Sequence, residues 1–405
     1  MAESTDRARD RGAERNRSCE LSVTHPALGA ELWVNPEIDQ GFGLSSTLGI
    51  AGFPSGEAYK IGFSVPYARL PRMFVRQTID LGGDTEKVEA GINQFAGSQT
   101  TNRLVITVGK FSVSDIFDTI GYAHNPREDF MNWALVDAGT FDYAADAWGY
   151  TYGAAVEWYR GNWTLRGGLF DLSIVPNSTD LDPQFGQFQW VGEIEHRHEL
   201  WGLPGKVAVN GFLSRGRMGS FEDAILLAQI TGGHADITAV RRYQSRGGVS
   251  VLAEQQLASD FGVFARAGWA NGNIEPYEFT DIDRTVAAGL SLRGTRWGRP
   301  DDTVGLAGIV NGISAVHQAF LNAGGLGILV GDRQLPNAGS EKIIEMYYSF
   351  PGLLVARDLR LSVCRQSSLQ PRSRSGLHYR NAAAYAVLTS CSERSSLGPA
   401  AIYAC

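Results

Sequence analysis

The sequence predicts an all-β chain: a large antiparallel transmembrane β-barrel, apolar outside and polar inside. Three observations lead to this reading. A hairpin over residues 148–173 alternates apolar with polar side chains, and its polar face carries charge. The same alternation recurs in segment after segment between residues 31 and 350. The connections between those segments alternate short with long, as on the two rims of an outer-membrane barrel.

In the hairpin, Tyr150, Tyr152, Ala154, Val156 and Trp158 share one face, with Thr151, Gly153, Ala155 and Glu157 on the other. Arg160, Gly161 and Asn162 make a tight turn, after which Trp163, Leu165, Gly167 and Leu169 oppose Thr164, Arg166, Gly168 and Phe170. A soluble sandwich would bury the apolar face against a second layer; a barrel in lipid turns it outward.

Taken in order, strand-like text begins at Glu31 with ELWVNPEIDQGFGLSSTLGIAGF. Residues 69–80 place Phe74, Arg76, Thr78 and Asp80 on one face and Val75 and Ile79 on the other. Residues 102–112 set Arg103, Thr107 and Gly109 against Leu104, Ile106 and Val108. After the hairpin come 185–198, 205–216, 246–257, 261–271, 284–294, 302–312 and 341–350. Short connections fall at 160–162, 199–204, 258–260 and 295–301; long ones fall at 113–147, 173–184, 217–245, 272–283 and 313–340. FEDAILLAQI and SAVHQAFLNA in two long loops read as short helices at the mouth.

With 405 residues, 43% hydrophobic and 20% charged, the chain is long enough for one large barrel or two soluble domains. It holds no apolar run long enough for a spanning helix, which leaves spanning strands open. The net charge of −7 and the absence of a basic–aromatic cluster argue against nucleic acid as a partner. Cys19, Cys364, Cys391 and Cys405 all lie near the ends and imply no disulfide framework. Residues 1–30 are charged, aperiodic and without the apolar core of a signal peptide, so they read as disordered or as a mis-assigned start.

ELWVNPEIDQGFGLSSTLGIAGFPSGEAYKIG, VRQTIDLGGDTEKVEAGINQFAGSQTTNRLVITVGKFSVSDIFD, FDYAADAWGYTYGAAVEW, LRGGLFDLSIVPNSTDLDPQF and RTVAAGLSLRGTRWGRPDDTVGLA resemble the carbohydrate-selective (OprB-type) porins of bacterial outer membranes. The resemblance covers residues 31–350. It implies a sixteen-stranded barrel in outer-membrane lipid, trimeric in many related porins, that passes mono- or oligosaccharides by passive diffusion. No enzyme activity and no cofactor are implied. Against that pattern the chain is expected to be incomplete at both ends. Residues 351–405 lose acids and alternation, and back-translating Leu359–Thr389 and shifting by one nucleotide gives, with suitable codons, a peptide like the family's closing hairpin followed by a stop. A frameshift near Pro351 is the expectation, and a barrel with two open edges would leave backbone groups unpaired in lipid.

The inward charged residues are Arg76, Arg103, Glu157, Arg166, Glu193, Glu195, Glu254, Arg266, Arg293 and Glu345, read as pore lining. Hydrogen-bonding charges of both signs can replace the hydration of a neutral sugar without trapping it; alternatively they pair across strands and stiffen the wall. Loop 113–147 is the candidate constriction through Asp115, Asp118, Arg127, Glu128 and Asp129, or else it lies over the rim. Outward Tyr150, Tyr152, Trp158, Trp163 and Trp269 read as interfacial girdle residues. Paired carboxylates in the loop admit a sugar-processing enzyme on a soluble β fold, and a barrel with a blocked lumen is the other rival. His196 and His198 lack a third ligand, so no metal is expected. AGGLGILVGD follows a predicted helix, the wrong order for a dinucleotide loop.

Overall fold

A computed structural model of the chain describes residues 15–18, 21–25, 29–41, 50, 62–89, 91, 93–126, 129–182, 184–328, 339–351, 358–366 and 383–387. Two short strands, β1 (Arg15–Ser18) and β2 (Leu21–His25), lie along one edge of β3 (Ala30–Gly41). From β3 the antiparallel sheet runs in chain order. It continues through β4 (Phe63–Val88), β5 (Gly97–Phe111), β6 (Thr151–Arg160), β7 (Trp163–Asp171) and β8 (Phe188–Leu200). There follow β9 (Leu203–Met218), β10 (Arg242–Ala258), β11 (Phe261–Ala270), β12 (Arg284–Gly294), β13 (Arg299–Gly312) and β14 (Glu341–Pro351). Strands β15 (Asp358–Gln366) and β16 (Ala383–Val387) extend the sheet beyond β14. The remainder of residues 1–30 and 351–405, where a mis-assigned start and a frameshifted tail are expected, lies outside the described residues.

Each strand exists because its side chains alternate, and the exposures show which way they point. Val108, Val156, Leu165, Ile194, Val209, Val251, Val286 and Ile344 stand 41–61% open on the outer face. On the inner face Thr107, Thr164, Glu193, Asn210, Ser250, Arg266, Thr285 and Glu345 are no more than 5% open. Water would reward the reverse arrangement. An apolar outside around a polar inside is stable only when lipid is the outer solvent. Tyr152, Trp163 and Trp269 are exposed on that outer face, as a girdle requires, and Trp158 is half-buried on it. Tyr150 departs from the expectation: it is buried, with Arg69 and Arg72 lying over its ring at 5.2 and 4.9 Å. The strand begins one residue later, so the period-two phase does not reach it.

One rim carries tight turns. Between β8 and β9 the turn is Trp201–Gly202, both with positive φ (55° and 74°), a twist that suits a two-residue hairpin. The long connections leave from the opposite rim, and among the described residues they hold three α-helices: α1 (Trp133–Val136), α2 (Phe221–Thr231) and α3 (Ala315–Asn322). The last two start at Ser220 and Ser314, whose side chains accept from the backbone N–H groups of Asp223 and His317. They meet where the Phe221 ring stacks on His317 at 4.3 Å and packs on Phe320 at 4.8 Å. Among the described residues no helix is long and apolar enough to cross a membrane, which says nothing about strands.

The apolar core lies within the barrel. Phe117, Trp133, Phe141 and Tyr143 of loop 113–147 pack with wall residues Phe74, Phe111, Phe170 and Phe212. Ile120, Phe130 and Leu135 of the same loop cluster with Phe264 and Tyr347.

Candidate functional site: the lumen and its inward loop

Loop 113–147 leaves the end of β5 and enters the barrel, where inner-face side chains from four strands take hold of its backbone. Glu193 on β8 accepts from the N–H of Asp118 at 2.7 Å, and Glu254 on β10 accepts from Gly121 at 2.6 Å. Glu345 on β14 accepts from both Met131 and Asn132, at 2.7 and 2.9 Å. Arg266 on β11 donates to the carbonyls of Ala123 (3.2 Å), Asp118 (2.8 Å) and Leu135, with the Asp118 carboxylate 3.3 Å away. A loop removed from bulk water must find partners for its peptide groups, and the charged wall supplies them. The wall also makes room: a Cβ at Gly262 would collide with the Tyr122 ring, and one at Gly268 with the Thr140 side chain.

Asp115, Asp118 and Asp129 fasten the loop. Asp115 receives two Arg72 bonds (2.8 and 2.6 Å) and caps the N–H of Ser112. Burial pushes its carboxyl up, but Arg72 outweighs that and the net shift is downward. Asp118 is enclosed; burial pushes its carboxyl up to about 6, with Arg266 opposing and Asp137 reinforcing. Asp129 accepts from the backbone of His124 and Asn125, and Tyr347 donates to it at 3.5 Å. Arg127 and Glu128 lie outside the described residues.

Toward the tight-turn rim the wall bears a band of alternating charge. Arg166 on β7 bridges Glu157 (3.0 Å), Glu193 (2.6 Å) and Glu195 (2.9 Å). Glu195 also meets Arg197 at 2.9 Å and Lys206 at 3.8 Å, and Lys206 reaches Glu254 at 3.7 Å. The ring of Tyr159, whose hydroxyl donates to Glu157, lies 3.9 Å from the Arg103 guanidinium and 5.8 Å from that of Arg197. Arg103 also meets Glu86 at 3.0 Å. On β4, the strand next to Arg103, Arg76 donates to the Asn93 carbonyl (2.6 Å) and faces Glu31 at 3.5 Å. Arg293 is exposed on the inward phase of β12.

The structure thus divides the ten inward charges. Arg266, Glu193 and Glu345 are sealed under the loop, whereas Arg76, Glu254 and Arg293 retain exposure. Tyr159, Lys206, Arg72 and the fully buried pair Arg246–Asp142 (2.9 Å) were not anticipated. Tyr159 and Arg246 share the inward phase of the chosen Glu157 and Glu254 and could have been read from it; Lys206 lies on β9, which held no chosen residue. Nothing local marks Asp142. Among the described residues no group of His, Cys, Asp and Glu is placed to hold a metal ion.

This architecture defines an outer-membrane β-barrel channel. The family model of the OprB carbohydrate-selective porins matches residues 18–352, and the chain belongs to that family, whose members are non-enzymatic channels. No curated protein sequence matches it. Among solved structures, the high-pH form of Pseudomonas putida OprB aligns with a TM-score of 0.61 at 15% identity, covering 91% of each chain. The low-pH form of the same protein aligns at 0.44 and 12% identity over 90% of each. Pseudomonas aeruginosa OprD aligns at 0.38 and 11% identity, over 87% of this chain and 86% of that one. At 15% identity the first of these shows fold alone, and the other two add nothing to it.

Proposed function

We propose that the chain lets carbohydrates diffuse passively across the outer membrane through the space between loop 113–147 and the inner wall. The observation that carries this reading is the paired band from Arg103 to Lys206. Each cation there has a carboxylate within 4 Å, so the wall offers donors and acceptors in close alternation with little net field. A neutral polyol needs both kinds of group to replace its water, and the Tyr159 ring adds a flat surface for a sugar face. Arg76, Arg103, Glu157, Arg166 and Arg293 are the groups assigned to meet solute, joined by Glu254, which is half-buried and also holds the N–H of Gly121. Glu193, Glu195, Arg266 and Glu345 hold the loop or the band in place, and Asp115, Asp118 and Asp129 fix the edge of the aperture. Homotrimer formation, the habit of many related porins, is part of this proposal, and cross-linking in the membrane tests it.

The test is liposome swelling with the reconstituted, heat-modifiable barrel. Mono- and disaccharides are expected to cause swelling, faster for the smaller solute, with weak selectivity between potassium and chloride. The packing of the loop inside the barrel favours one rival, a blocked lumen. Intact barrels that give neither swelling nor conductance would establish that rival and end this one.

A further inference from the structure

The outer face carries a feature that diffusion does not use. On the long-loop side, the outward positions of β10 to β13, with Ile313, Gln318, Gly339 and Ser340 of the connection to β14, line a groove of about 760 Å³. Its sides are Val249, Val251, Val286 and Val310, all exposed, with Trp269 and Arg284 at its upper end. The ladder puts these upper residues in one row: Val249 opposite Trp269, Trp269 opposite Arg284, and Arg284 opposite Gly312. A Cβ at Gly312 would meet nothing within 4 Å, so the floor beside the guanidinium is open. A cation on a lipid-facing strand is costly unless it reaches the headgroup layer and an anion there. The tryptophan beside it marks that layer.

Arg284 is not isolated. Arg215 and Arg217 occupy outward positions at the same rim on β9, beside Phe188 and Tyr243. Among the described residues no ion pair joins Arg215, Arg217 or Arg284 to a carboxylate. The outward strand positions of this rim from β8 to β13 bear no acid. One sign of charge above an apolar channel is complementary to a lipid with anionic phosphate above acyl chains. In a two-fold contact a second copy of this chain would present the same cations to this face and repel.

We infer that the groove is a binding site for a phosphorylated, acylated lipid of the leaflet around the long-loop rim. Arg284 takes the phosphate, and an acyl chain lies along Val249, Val251, Val286 and Val310. The test is native mass spectrometry of the full chain, folded in micelles doped with bis-phosphorylated hexaacyl lipid or with phosphatidylcholine of matched chain length. The wild type is expected to retain the phosphorylated lipid and not phosphatidylcholine. R284Q should weaken retention about fivefold, the worth of one arginine near an anionic surface, and R284K should restore most of it. G312L keeps the charge but fills the floor, and should reduce retention with sugar swelling unchanged. Equal retention of both lipids overturns the inference, as does R284Q retaining like wild type in a heat-modifiable barrel. A dimer or trimer lost on the same substitution overturns it in favour of a second copy. Loss of swelling alone would bear on diffusion and leave this site standing.

Discussion

Replacing Arg266 by methionine asks whether charge holds the loop to the wall. The guanidinium is wholly enclosed, 3.3 Å from the Asp118 carboxylate and bonded to three loop carbonyls. Methionine keeps much of the volume and leaves Asp118 buried without its cation. Breaking one side of such a pair costs about 3–5 kcal/mol, a factor of roughly one hundred to a few thousand in the ratio of seated to released loop. The strand ladders are untouched, so the defect is local: larger, noisier conductance in planar bilayers and faster proteolysis within residues 113–147, with heat-modifiable mobility retained. Acid should reverse it. Burial raises the Asp118 carboxyl from its ordinary 3.8 to about 6 even with Arg266 opposing. The folded state therefore holds this proton more tightly than the released loop does. That contribution to seating is complete below about 3.8 and is lost as pH rises through about 6. Without Arg266 the folded value climbs further, so R266M should be noisy at pH 7 and quiet near pH 5. Adding D118N should likewise quiet it at pH 7, because both charges are then gone. Quiet, protease-resistant R266M channels at pH 7, or a double variant worse than the single one, would show that packing and not charge seats the loop.

E345Q should cost about 1–3 kcal/mol of loop seating, because an amide donor then faces the N–H of Met131 or Asn132; conductance noise and proteolysis measure it. V156K puts an ammonium on the lipid face, where Val156 is 42% open. It should destabilise the barrel by about 2–4 kcal/mol in urea titrations in liposomes if that position is near the midplane. G262L forces the Tyr122 ring off its seat at about 1–3 kcal/mol, and Y122A in the same chain should recover most of the loss in the same protease assay. Below pH 4 the loop should loosen again, because the lowered Asp115 carboxyl contributes above its ordinary 3.8 and that contribution fades as pH falls through its folded value.

The strands were legible because period two is a strong local rule, and the outside–inside polarity followed from which phase carried charge. The reach of that rule also explains its failure at Tyr150. The chain turns at Gly149, where φ is 97°, so the residue before Thr151 no longer belongs to the pleat. Sequence placed Arg266 and Glu345 on the inner face but could not say what they touch. Their partners are 131–148 and 213–214 residues away and lie in a loop with no periodicity of its own. A pairing fixed by loop closure leaves no trace in local spacing. Lys206 is the one charge on an inward phase otherwise made of Ala208, Asn210, Phe212 and Ser214, so its ionic setting comes from the register, which sets it opposite Arg197 and Glu254.

The loop's burial answers a thermodynamic problem that the sheet creates. An apolar face turned to lipid gains nothing by packing against other protein, since the acyl chains are as apolar as it is. Water is expelled by protein–protein contact only inside, yet the inner wall must stay polar enough to pass solute. Segregating the two demands along the lumen resolves this. Phe117, Phe130, Trp133 and Phe141 bring an apolar core into the barrel from the long-loop side. The wall's carboxylates and arginines divide accordingly into those that cap the loop's peptide groups and those left to face solvent. The fastened set spans β8, β10, β11 and β14, so the loop also ties distant parts of the sheet to one another. If so, deleting residues 119–131 should weaken the barrel as a whole, as a core deletion would, and not merely widen its aperture.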